Sequence, residues 1–122
     1  MKVEVRDLRI GNYVMFSDSQ TVFMVNEISE TGLGVEDENE STWIELETFE
    51  PIPLTEEWLL KFGFKHTGNA FYLHVKSLIE VCNIGDKFFY CGFKGVSIGN
   101  IYHVHALQNL YFALTGTELI LK

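Results

Sequence analysis

Residues 104–116 read Val104-His105-Ala106-Leu107-Gln108-Asn109-Leu110-Tyr111-Phe112-Ala113-Leu114-Thr115-Gly116, a helix-forming run without one formally charged side chain. Leu107, Leu110, Tyr111 and Leu114 recur at i, i+3, i+4 and i+7 and so share one helical face, while Ala106, Phe112 and Ala113 add apolar surface outside it. A helix of this kind is expected to be buried on most sides, with Leu110 and Leu114 fully covered. Gly116 follows the last periodic residue, where a left-handed residue ends a helix at least cost, and residues 118–121 read as a short closing strand. The run predicts a helix packed against a sheet.

Working upstream, strands are expected over residues 71–75, 78–82, 87–93 and 96–104, with turns at 67–69, 83–86 and 94–95 and a bend at Gly99-Asn100. Pro51 and Pro53 fix an extended connector. Thr55 then suits an N-cap, Glu56 and Glu57 suit the positive end of the helix dipole, and a helix over 56–62 stops at Gly63. Before the connector, short strands at 2–5, 13–16, 21–28, 33–36 and 41–46 alternate with tight polar turns. The predicted fold class is α+β: a small SH3-like antiparallel β-barrel over residues 1–50, then a lobe over 51–122 built as helix, antiparallel strands, helix and closing strand.

Charge is distributed unevenly. Between Ile10 and Leu60 stand twelve Asp or Glu and no Lys or Arg, whereas from Lys61 onward six lysines face Glu80, Asp86 and Glu118. The first half therefore carries a strongly negative field and the second a mildly positive one. A single-sign region serves solubility in the bland reading; in the sharper one it imitates nucleic acid or docks on a basic protein. Direct DNA binding is disfavoured, because phosphate would be repelled over half the surface. The charged N-terminus lacks the apolar run of a signal peptide and no apolar segment reaches bilayer length, so the expected location is the cytoplasm, off the membrane. Cys82 and Cys91 are then expected to be buried, unreactive side chains.

Few residues offer chemistry. His103 and His105 are two apart and would share a strand face, but a metal site needs further ligands, from His74 or His66, and no metal or cofactor is expected. The glycines at 92, 95 and 99 punctuate strands and do not form a phosphate loop, and no carboxylate pair marks a dry pocket. The chain is therefore expected to be no enzyme. Two binding surfaces stand out. One is the acidic tip Glu36, Asp37, Glu38 and Glu40, suited to a protein partner with a basic surface. The alternative is a small nucleotide-like ligand held by Lys87, Lys94, Tyr90, Tyr102, His103 and His105 through stacking and charge. The uncharged helix has more apolar surface than a small sheet covers, so a homo-oligomer is also expected.

Three stretches carry a resemblance: Asp7 to Val14 (DLRIGNYV), Glu50 to Phe64 (EPIPLTEEWLLKFGF), and Val104 to Leu119 with its LQNLYFALTG core. Together they resemble a family of small uncharacterised proteins encoded by phages and mobile elements of gut bacteria. The family supplies no activity and no catalytic residues to carry over. What the resemblance implies is a setting, in which an interaction protein serving counter-defence is the expected role.

Overall fold

The structure is a computed structural model and describes residues 7–84 and 89–121. It is an α+β protein whose described residues form two antiparallel five-stranded sheets and two helices, arranged as two compact units, one running to Ile52 and the other starting at Pro53.

In the first unit β1 (Tyr13–Phe16), β2 (Val22–Ile28), β3 (Gly32–Glu36), β4 (Ser41–Glu45) and β5 (Phe49–Pro51) form a sheet in the order β4-β3-β2-β1-β5. Strict alternation decides which side chains go inward. Val14, Phe23, Val25, Leu33, Val35 and Ile44 are buried together with Leu8, and Phe16 meets Phe23 edge-on at 4.8 Å. A 3₁₀ turn, Leu46–Thr48, passes the chain from β4 to β5, whose partner is β1. Proline is tolerated in β5 because the strand lies at the sheet edge. Among the described residues β4 and β5 do not pair, so the expected barrel is not closed. The strand expected at residues 2–5 lies outside the described residues.

The second unit opens with α1 (Glu56–Lys61), where Thr55 Oγ1 accepts the Trp58 N–H as the N-cap. Five strands then run as a meander, β6 (Lys65–Gly68), β7 (Phe71–His74), β8 (Ile79–Asn83), β9 (Phe89–Phe93) and β10 (Val96–Ile101), each hydrogen-bonded to the next. The expectation missed β6, a fully exposed edge strand of polar residues with no apolar alternation to signal it. The bend expected at Gly99 is a register shift between Ser97 and Gly99. The last helix, α2 (Val104–Thr115), ends at Gly116, whose φ of 76° is left-handed and whose N–H donates to the Phe112 carbonyl at 2.8 Å.

Two expectations for α2 are corrected. Its buried side chains are Val104, His105, Leu107, Gln108 and Tyr111, while Leu110 and Leu114 are half-buried. The covered face thus runs through Val104, Leu107, Gln108 and Tyr111 at i, i+3, i+4 and i+7, with His105 beside it, so that two polar residues are turned inward. Tyr111 packs edge-on against His74 of β7 at 5.2 Å, and His74 meets Phe64 at the same distance. Residues 118–121 form no strand; Leu119 is the buried side chain of this segment.

Candidate functional site

On the first sheet, the side opposite the core is unusual in its middle. β3 alternates buried Leu33 and Val35 with Gly32, Gly34 and Glu36 on the other face. Trp43 of β4 pairs with Gly34 and lays its indole over Gly32, where an added Cβ would come within 2.9 Å of the ring. From the other side Glu27 of β2, also paired with Gly34, covers that glycine, with its Cβ 2.9 Å from where a Cβ would stand. The two glycines therefore form a trough in which a tryptophan and a glutamate lie. Trp43 stays 45% exposed. Glu45 is two residues along the same face of β4, and Glu36 lies on the same face of β3, where its Oε1 accepts the Asn26 Nδ2–H at 2.8 Å. Glu27 and Glu45 make no ion pair or side-chain hydrogen bond among the described residues.

The acidic tip expected to carry partner binding is the β3–β4 hairpin turn, and its four carboxylates have different tasks. Asp37 Oδ1 accepts the N–H groups of Asn39 at 2.8 Å and Glu40 at 2.9 Å, while the Asp37 N–H donates to the Glu40 carbonyl at 2.9 Å. Asp37 is therefore the structural residue of the turn. Glu36 is held by Asn26. Glu38 and Glu40 are exposed with their carboxylates unpaired among the described residues, so they are the two that face solvent freely.

No protein-family model, no curated protein and no solved structure matches this chain. What it can do must be read from its own surfaces.

The residues considered for a nucleotide-like ligand separate into groups. Tyr102, His103 and His105 adjoin one another: the Tyr102 and His103 ring centroids are 6.4 Å apart, and the two imidazoles stack at 5.5 Å with 17° between their planes. His103 is the N-cap position of α2 and burial lowers its pKa; His105 is buried in the first turn. Tyr90 pairs with Asn100 of β10. Lys94 sits at the opposite end of β9, in the β9–β10 turn, with its Nζ 5.2 Å from the Phe93 ring centroid. Lys87 lies outside the described residues. The lysine and the stacked rings are thus at different ends of the sheet.

Other groups with chemical potential are occupied by structure. Among the described residues no three His, Cys, Asp or Glu side chains are gathered to hold a metal ion. His66 stacks on Tyr72 at 4.7 Å and its Nε2 bonds the Asn69 carbonyl at 3.0 Å. His74 Nδ1 lies 2.8 Å from Ser77 Oγ, but both are buried, and Ser77 Oγ also accepts the Ile79 N–H at 3.2 Å. That pair therefore organises the β7–β8 turn. Cys91 is buried and its thiol is pushed up to about 11 by desolvation, which keeps it protonated and inert. Cys82 departs from expectation: it is half-buried, on the sheet face away from Cys91.

Trp43 was absent from the sequence-derived candidates. The available signal was Gly32-Leu33-Gly34 opposite a single tryptophan on the next short strand, a pairing that leaves room for a large ring on the sheet surface.

Proposed function

We propose that this protein is a non-enzymatic interaction module whose first unit grips a basic macromolecular partner, with Trp43 as anchor and the acidic residues around it as the steering field. The observation that carries this reading is the half-exposed Trp43 seated over Gly32 on the same face as Glu27, Glu36 and Glu45. Exposed tryptophans rimmed by charge are the residue type in which binding energy concentrates, and uncompensated carboxylates speed association with a basic surface. Glu38 and Glu40 at the hairpin tip extend that field. The order β5-β1-β2-β3-β4 with a 3₁₀ turn between β4 and β5 supports reading this unit as a half-open relative of the SH3-like barrel. The resemblance to phage and mobile-element proteins makes a host or phage macromolecule the expected partner and counter-defence the expected purpose.

The nucleotide alternative ranks second, since its lysine and its stacked rings lie at opposite ends of the sheet. Self-association remains part of the proposal, with Phe112 of α2 exposed at 39% as its apolar contribution.

Native mass spectrometry of the protein purified from its host tests the reading. A copurifying protein should be present with the wild type, lost with Trp43→Ala, and weakened in a salt-dependent manner by Glu38→Lys with Glu40→Lys. Copurification that survives all three substitutions would remove the first unit from the role.

A further inference from the structure

The second sheet has a shallow concavity of about 250 Å³ on the face away from its core, lined chiefly by Phe71, Glu80, Cys82, Tyr90, Gly92 and Val96. Strand register explains its layout. Phe71 pairs with Cys82 and Cys82 with Tyr90, so two aromatic rings stand on the strands either side of a small residue. Two strand spacings separate their backbones by roughly 10 Å, which leaves space between the rings for one flat or slender group. One pair further along the same face, Glu80 lies between Leu73 and Gly92. Gly92 contributes no side chain, so the carboxylate is open toward β9; a Cβ there would stand 3.3 Å from the Val96 carbonyl. Phe71 is 44% and Tyr90 37% exposed, and the Glu80 carboxylate forms no ion pair or hydrogen bond among the described residues.

An unpaired carboxylate near two half-exposed rings calls for a cation with an apolar, planar surface. A guanidinium fits on each count, because it stacks on aromatic faces and meets a carboxylate through two parallel N–H···O bonds; an ammonium offers a point charge and no stacking plane. A nucleotide meets the opposite electrostatics, since its phosphate would approach Glu80. We propose that this concavity is a binding site for an arginine side chain presented by another protein. It stands independently of the acidic face, as every lining residue belongs to the second unit.

Cys82 on the floor provides a reporter, with buried Cys91 as the internal control. In the full chain, N-acetyl-arginine methylamide should slow alkylation of Cys82 by iodoacetamide and shift the amide resonances of Glu80, Cys82, Tyr90 and Gly92 to saturation. N-acetyl-lysine methylamide should bind about threefold or more weakly, and AMP should give neither effect. Because Glu80 and Phe71 are exposed, Glu80→Gln and Phe71→Ala should keep the fold by circular dichroism. Each should weaken the arginine probe by roughly threefold, the size of effect typical of exposed charge pairs. Glu38→Lys with Glu40→Lys should leave probe binding unchanged, which separates this site from the acidic face. Unprotected Cys82, equal binding in Glu80→Gln, or stronger protection by AMP than by the arginine probe would each overturn the assignment.

Discussion

The Tyr72 hydroxyl donates a 2.5 Å hydrogen bond to Glu56 Oε2, joining β7 to the first turn of α1 across sixteen residues of sequence. Tyr72 is buried, and the bond to the Glu56 carboxylate, followed by desolvation, pushes its pKa from 10.0 up to about 12. A folded-state pKa above the unfolded value means that the native protein holds this proton more tightly. The resulting stabilisation is complete below pH 10 and is lost as pH rises toward about 12. Tyr72→Phe should cost about 1 kcal/mol near neutrality, since exposed Glu56 can be rehydrated. It should also flatten the alkaline limb of a stability profile followed by urea denaturation. An unchanged alkaline limb would mean that the phenol ionises alike in both states.

For α2, the buried face fixes the ranking of leucines. Leu107 is fully enclosed, so Leu107→Ala should cost about 2–5 kcal/mol in chemical denaturation. Leu114 is half-buried, and Leu114→Ala should cost no more than about 1–2 kcal/mol. Equal costs would restore the face centred on Leu110 and Leu114.

Gly32 cannot accept a side chain without moving the sheet. A Cβ there would stand 2.3 Å from the backbone carbonyl oxygen of Ile44 and 2.9 Å from the Trp43 ring. Gly32→Ala should therefore destabilise by about 1–3 kcal/mol, as overpacking does, and shift the fluorescence of Trp43. A neutral substitution with an unchanged emission spectrum would show that β4 is free to move outward.

The acidic tip divides into a structural and an accessible part, and thermal denaturation distinguishes them. Asp37→Ala removes the acceptor for two turn N–H groups and should cost about 1 kcal/mol. Glu38→Lys with Glu40→Lys should leave the midpoint within about 1 °C of wild type, because solvated charges contribute little to folding. If the order is reversed, the turn is held by something other than Asp37.

Much of the architecture follows from local sequence alone. Thr55 ahead of Glu56 and Glu57 fixes the start of α1, Gly116 fixes the end of α2, and the alternation through Val14, Phe23, Val25, Leu33, Val35 and Ile44 fixes the inward face of the first sheet. These are determined by spacing because capping and alternation act within a few residues of the chain. Tertiary structure decided everything that depends on who stands opposite whom. It paired Gly34 with both Glu27 and Trp43, making a trough from residues that in sequence read only as short strands and a tight turn. It set Glu80 beside Gly92 and Cys82 between Phe71 and Tyr90, joining side chains from three strands, Phe71 and Tyr90 nineteen positions apart, into one concavity. It also turned His105 and Gln108 inward on α2 in place of Leu110, because burial of a helix is set by the neighbours it meets, and helical periodicity supplies only the faces from which that choice is made.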